Sequence, residues 1–383
     1  MVVVTVNHRL NVVGFLDLSA YGAKYKYSGN LGIMDLVAAL QWVKANIANF
    51  GGDPSNVTIF GQSGGGGKVS TLMATPAAKG LFHKAIIQSG SIIGMGMTLT
   101  ESKTSRRVAE LTLQNLGLEP SQVDQLQKIP YSQLNEASEK ALKKTAEEQG
   151  LKGLFGSEIM WAPLMDGDYI PVQPFGSSAP AQSKDIPVMV GTTLNEFPAF
   201  ELDPKMRDSK NWSFEELKAY FKQKYGEKAD ALVAAYQKAY PGMKYSEWLY
   251  VDSMFRPGAI LTAQMKADQN GAPVYMYLFT WQSPVMDGRN RSTHCMEIPF
   301  AFYNVAITEQ VHGGGKEAWD MAEKVSQAWI HFASNGNPNH KGIPNWPAYT
   351  RANGAAMILD NTCVVRNHHD RELMSLLAPE IKF

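Results

Sequence analysis

The stretch Asn56-Val-Thr-Ile-Phe-Gly-Gln-Ser-Gly-Gly65 decides the fold. Val57 to Phe60 is a short β-branched and aromatic run that predicts a buried strand. It leads straight into Gly61-Gln-Ser-Gly-Gly65, which fits Gly-x-Ser-x-Gly ahead of a glycine-rich helix start. A strand that reverses into a helix about a serine is a nucleophile elbow. The reversal forces Ser63 into a strained backbone, lifts its hydroxyl clear of the strand end, and aims the N–H of Gly64 at whatever the hydroxyl attacks. Only residues without a Cβ are expected to fit against the turn at Gly61 and Gly65. The pattern alone is common; the strand before it and the helix after it supply the specificity.

Outward from the elbow, Val2-Val-Val-Thr-Val6 is another continuous β-branched run, the pattern of a strand covered on both faces. Ile33, Leu36, Leu40, Val43 and Ile47 recur at helical spacing, and Gly51-Gly-Asp-Pro54 closes that helix. Ala85-Ile-Ile-Gln88, Val188-Met-Val-Gly191 and Val274-Tyr-Met-Tyr-Leu-Phe279 read as further buried strands, and Glu317 to Ser334 as a long helix. This alternation predicts a doubly wound α/β sheet. Stretches rich in Glu, Lys, Gln and Ala at about 100–150 and about 205–245 read as helical insertions. No repeat or linker marks a boundary, so one domain over residues 1–383 is expected.

Lys plus Arg and Asp plus Glu balance at 36 each, which removes the basic excess that nucleic acid or an anionic membrane would attract. No uninterrupted apolar run approaches the roughly 18 residues of a membrane span. The expected partner is therefore a small, weakly charged molecule. Cys295 and Cys363 make no disulfide framework and read as free thiols of a reducing compartment, which favours a cytoplasmic location. His340 and His368-His369 have no companion carboxylate or cysteine at ligand spacing, so no metal site is expected.

With the elbow placed, further segments carry a resemblance. They are Val4-Thr-Val-Asn-His-Arg-Leu10 with Gly14-Phe-Leu16, Asn30-Leu-Gly32 with Ala39-Leu-Gln-Trp42, and Asn49-Phe-Gly-Gly-Asp-Pro54. Phe82-His-Lys-Ala-Ile-Ile-Gln-Ser-Gly90, Gly191-Thr-Thr-Leu-Asn-Glu196 and Gly336-Asn-Pro338 follow in the same order. Together they resemble the type B carboxylesterase and cholinesterase-like family of α/β-hydrolases, nearest to its bacterial para-nitrobenzyl-esterase-like members. The resemblance implies an α/β-hydrolase fold with a mostly parallel sheet flanked by helices, a small-molecule ester substrate, and no metal or organic cofactor.

It also implies a triad. Glu196 stands at the family's acid position, after a buried strand whose carboxyl end shares the elbow's edge of the sheet. His294, in Thr293-His-Cys-Met-Glu-Ile-Pro-Phe300, stands in a segment that resembles the family's His-x-x-Glu-Leu-Pro-Phe. His294 would take the proton of Ser63 and return it to the leaving alcohol, while Glu196 orients the ring. An unperturbed imidazole would place the rise of activity at about pH 6 to 7. Asp166 and Asp168, in Pro163-Leu-Met-Asp-Gly-Asp168, are competing acids, although Asp-Gly reads as a turn; Glu297 reads as a brace for the histidine loop. By the same resemblance Ile159-Met-Trp-Ala162 lies where the family lines its acyl pocket and Phe197 and Phe200 follow the acid, so Met160, Trp161, Phe197 and Phe200 are the expected substrate contacts. His312-Gly-Gly-Gly315 imitates the family's oxyanion motif, but it follows the histidine and precedes a helix, so it reads as a flexible loop.

Four departures from the family pattern stand out. Gln62 and Gly64 replace the Glu and Ala often found beside the nucleophile. Asn11 replaces a usual Gly, and Asn is the next most tolerant residue where φ > 0. The strand that leads into the family's His-Gly-Gly-Gly loop has no counterpart before Val2, so an amino-terminally truncated sheet is expected, open to self-association through unpaired edges. Gly64 N–H is then the one assignable oxyanion donor, and a slow esterase is expected. The alternative is a non-catalytic cholinesterase-like binding module or a catalytically impaired fragment. Adhesion needs no Ser63, Glu196 and His294 together, and a phosphonate probe separates the readings.

Overall fold

The apolar runs become strands where a neighbour completes their hydrogen bonds. The computed structural model describes residues 1–91, 99–151, 159–197 and 209–383. Among these, the strands are β1 Thr58–Gln62, β2 Lys84–Gln88, β3 Thr100–Glu101, β4 Leu164–Met165, β5 Val188–Thr193, β6 Val274–Phe279, β7 Ala355–Leu359 and β8 Val364–Asn367. The chain divides into two compact units. One comprises Met1–Val57, Ser70–Phe82 and Gly96–Ser183; the other comprises Thr58–Val69, His83–Met95 and Lys184–Phe383.

The second unit holds the main sheet, in the order β1-β2-β5-β6-β7-β8. Its first five strands are parallel and β8 is antiparallel to β7. Every residue of β2, β5, β6 and β7 is buried, as both-face coverage requires. Tyr275, Tyr277 and Phe279 project from β6 into a cluster with Met321, Val325, Trp329 and Phe332 of the helix Gly315–Asn335. Full burial of each such side chain contributes about 1.5–3 kcal/mol. The helix Arg256–Asp268 packs against β5 and β6. Helices Phe214–Tyr225 and Ala229–Ala239 occupy the second Glu- and Lys-rich stretch.

In the first unit the expected helix runs Leu31–Asn46 and continues as a 3-10 turn to Phe50, where Gly51 adopts φ 77. The stretch Ala23–Phe50 is long and apolar enough by composition to cross a bilayer. Asp35 within it accepts the Arg9 guanidinium, and Ile33, Leu36, Val37 and Val43 are buried in protein, which is the pattern of a core helix. Helices Ser102–Asn115 and Tyr131–Gln149 pack together. Asn11 does adopt positive φ, at 50°.

Val2–Val6 is a correction. Residues 1–10 carry no regular structure and these valines are 38–53% exposed. A β-branched run becomes a strand only beside a partner, and no described strand pairs with it. His312-Gly-Gly-Gly315 also differs from expectation: it is a bonded joint between two helices. His312 is buried, Nε2 lies 3.0 Å from Thr308 Oγ1, Nδ1 accepts from Gly314 N–H, and Gly313, Gly314 and Gly315 all take positive φ.

Candidate active site

Parallel strands end at one edge, and the loops leaving β1, β2, β5 and β6 bring the polar residues together there. Ser63 follows β1 with φ 55, a left-handed conformation that costs a non-glycine residue about 1–3 kcal/mol. A Cβ on Gly61 would lie 2.4 Å from the backbone of Gly65, so glycine is obligatory at Gly61. Gly65 itself has open space where its Cβ would stand, which corrects the expectation that it too is barred from carrying one. The need is for Gly61 to admit the backbone of Gly65. Ser63 N–H donates to Gln88 O at 2.8 Å, tying the elbow to the end of β2.

Ser89 follows β2 as Ser63 follows β1, and Gln62 and Gln88 are register partners. Ser89 Oγ donates to Glu196 Oε1 at 2.5 Å, and Thr193 N–H donates to the same oxygen at 2.8 Å. Glu196 Oε2 lies 2.5 Å from His294 Nδ1. The main chains of the two loops are also joined, His294 N–H to Glu196 O at 2.9 Å and Asn195 N–H to Ser292 O at 3.1 Å. Phe197 stacks on the His294 ring at 4.8 Å and Phe255 meets it at 5.2 Å. Glu196 is thus the carboxylate bonded to His294. Asp166 instead accepts from Asn30 and from the N–H groups of Asp168 and Ile170, and Asp168 pairs with Lys26 and Tyr27.

Three carboxylates surround the ring. Glu297 is fully buried, and Gln88 Nε2 donates to its Oε1 at 3.1 Å, the bracing contact expected of it. Tyr277 lies beside Glu297, but neither Tyr277 Oη nor Glu297 Oε2 completes a hydrogen bond of normal geometry. Gly191 makes room for that phenol, since a Cβ there would meet the Tyr277 ring at 2.4 Å. Burial and the nearby Glu196 push Glu297 up to about 7. Asp252 caps the segment entering the helix Arg256–Asp268 by accepting from Met254, Phe255 and Arg256 N–H, and burial and Glu196 push it up as well. Burial works against a charged His294, yet Glu196, Glu297 and Asp252 together raise its proton affinity above the ordinary imidazole value. The neutral ring therefore forms at higher pH than the sequence alone suggests. Burial pushes the Cys295 thiol up to about 12, so it is no rival nucleophile.

The raised Glu297 has a stability consequence. The folded chain keeps a proton on it that the unfolded chain releases at about pH 4.5, so stability falls as pH rises from there to about 7. The full loss is on the order of 3 kcal/mol. Glu297→Gln cannot ionise; it is expected to match the parent near pH 4.5 and exceed it in denaturant midpoint at pH 8. Parallel stability curves for the two proteins across this range would refute the assignment.

Met160 is exposed, while Trp161 packs against the two helices Ser102–Asn115 and Tyr131–Gln149 with its indole N–H on Glu139 at 3.0 Å. Phe200 lies outside the described residues. Ser89, Asp252 and Lys68 are site residues that sequence reading did not single out. Lys68, one turn into the helix Gly64–Ala74, directs Nζ to Gly64 O at 3.4 Å, and burial lowers its proton affinity. Ser89 had a visible signal, a serine before glycine ending a buried strand.

Known proteins resemble this chain over nearly its whole length. The model of the carboxylesterase family matches residues 1–376. The para-nitrobenzyl esterase of Bacillus subtilis (strain 168) is 35% identical over 382 residues, spanning 99% of this chain and 73% of that protein. Carboxylesterase 1D of Rattus norvegicus is 31% identical over 97% of this chain and 67% of its own length. Among solved structures, an esterase from anaerobic Clostridium hathewayi that can hydrolyze aliphatic aromatic polyesters superposes with a TM-score of 0.85 at 36% identity, covering 99% of this chain and 72% of that one. The parallel sheet is accordingly that of the α/β-hydrolases, and the chain belongs to the carboxylesterase family, as an enzyme that hydrolyses carboxylic esters.

Proposed function

We propose that this carboxylesterase is a serine hydrolase of small apolar or aromatic esters, working through an acyl-enzyme on Ser63, His294 and Glu196. The observation that carries the reading is the Glu196–His294 pair at the same sheet edge as an elbow serine with positive φ. Ser63 Oγ attacks the ester carbonyl while His294 Nε2 takes its proton. Glu196 holds the ring by Nδ1 and pairs the positive charge that develops on it. The carbonyl oxygen becomes an oxyanion, and Gly64 N–H, at the first turn of a helix and without an intrahelical acceptor, donates to it. Collapse of the adduct expels the alcohol, which receives the proton from His294. Water then attacks the acyl-enzyme by the same route, freeing the acid and restoring Ser63.

The apolar faces of Phe197 and Phe255 against the ring support an uncharged substrate, and the names of the Bacillus and Clostridium relatives point to aromatic esters. A fluorophosphonate probe followed by peptide mass mapping tests the nucleophile, alongside turnover of p-nitrophenyl acetate and benzoate. One adduct, on Ser63, with turnover of both esters is expected. An adduct elsewhere, or none, would overturn the reading.

A further inference from the structure

Asn195 stands one residue before Glu196 in the turn that follows β5, and it is 2% exposed. Its side chain meets two other segments at once. Oδ1 accepts from Ser292 N–H at 3.3 Å, on the loop that carries His294, and from Gln282 Nε2 at 3.2 Å. Nδ2 donates to Tyr250 O at 2.8 Å, two residues before Asp252. A backbone N–H can only donate and a backbone carbonyl can only accept, so these partners fix which end of the carboxamide is oxygen and which is nitrogen.

Main-chain bonds bring the same three segments together. Asn195 N–H donates to Ser292 O, His294 N–H to Glu196 O, and Asp252 N–H to Leu194 O at 2.8 Å. The other two segments have ties of their own. Arg291 lies over the Tyr250 ring at 3.6 Å and pairs with Glu247 at 2.7 Å, and Ser292 Oγ donates to Phe279 O at the end of β6. Truncating the Asn195 carboxamide would therefore leave the His294 loop joined to the Tyr250 segment and take from the acid turn its side-chain tie to both. It would also take a partner from Ser292 N–H, on a fully buried residue, and a buried donor without its acceptor is relieved by movement of its loop. Glu196 Oε1 is held from its own side by Ser89 and Thr193, so any shift between the loops is taken up between Oε2 and Nδ1.

We propose that Asn195 is a positioning residue for ester hydrolysis: its carboxamide ties the Glu196 turn to the His294 loop and to the Tyr250 segment, and so sets the approach of Glu196 Oε2 to His294 Nδ1. The inference rests on the triad reading above. It goes further in naming what holds the acid and the base in register.

Two variants and two measurements test it. Asn195→Ala removes both the acceptor and the donor, whereas Asn195→Asp keeps an oxygen for Ser292 N–H. In Asn195→Ala, kcat for p-nitrophenyl acetate is expected to fall about 10²-fold, the scale on which a small misplacement of reacting groups acts. KM should stay within about twofold, because a residue buried out of the substrate's reach acts on the chemical step. Asn195→Asp should keep kcat within about tenfold of the parent, the equivalent of one hydrogen bond. The second measurement follows the ¹H NMR resonance of His294 Nδ1–H in a Ser63→Ala background, assigned by its loss in His294→Gln. That resonance is expected to persist in Asn195→Asp and to broaden or vanish in Asn195→Ala, as its proton exchanges with water. Because this readout needs no turnover, failure of Ser63 as nucleophile would leave it intact. Parent-like kcat or an unchanged resonance in Asn195→Ala would overturn the proposal, as would equal losses of kcat in the two variants. If Asn195→Ala unfolds at the assay temperature, Asn195→Asp decides alone: a fall of 10²-fold or more, or loss of its resonance, would overturn the proposal.

Discussion

Replacing Ser63 by Ala is expected to lower kcat by about 10⁵- to 10⁶-fold, the loss typical when a serine hydrolase forfeits its nucleophile. The effect should be large because the following described hydroxyls and thiol near the site are otherwise engaged. Ser89 Oγ is bonded to Glu196, Ser292 Oγ donates to Phe279 O at 2.8 Å, and the Cys295 thiol is pushed too high to ionise. Folding should be untouched, since Ala carries the same Cβ as Ser and so meets the same backbone penalty at φ 55. Gly at this position would relieve that penalty, so Ser63→Gly should be both inactive and more stable. The checks are burst-free p-nitrophenyl ester kinetics, loss of phosphonate labelling, and thermal midpoints of the three proteins. Labelling that persists in Ser63→Ala would end the assignment.

The elbow and the central strands were legible for one reason. A parallel strand buried on both faces is an unbroken apolar run, and β2, β5 and β6 are such runs, bounded within two residues of where their composition places them. The helix Gly315–Asn335 was equally plain from its periodicity. Val2–Val6 has the same composition as these strands and yet stands exposed, because composition reports what a segment would bury and not whether a neighbour exists to bury it. β7, Ala355-Ala-Met-Ile-Leu359, went unread although it is fully buried; its two alanines mute the signal. At the site, Ser63, Glu196 and His294 could be named from motifs. Asp252 could not, since it meets the site through loop packing, and no spacing along the chain records that.

Glu196→Gln is expected to lower kcat by about 10⁴-fold, the scale seen when a triad carboxylate becomes an amide in serine proteases. The hydrogen bonds dictate how the amide must sit. Oε1 of Glu196 accepts two donors, Ser89 Oγ–H and Thr193 N–H, so the amide oxygen is required at that position. The NH2 group then falls where Oε2 stands, facing His294 Nδ1. Two N–H groups cannot share one line, so Nδ1 must become the acceptor and the ring proton moves to Nε2. In that tautomer Nε2 can take no proton from Ser63. The charge that stabilised the imidazolium is lost at the same time, so the midpoint of any residual activity should move to lower pH. Ser89→Ala in the Glu196→Gln background supplies the control. Thr193 N–H still demands the oxygen, so little activity should return, and a full recovery would show that Ser89 alone dictates the amide's orientation. Wild-type turnover in Glu196→Gln itself would remove Glu196 from the mechanism and leave its contact with His294 a structural one.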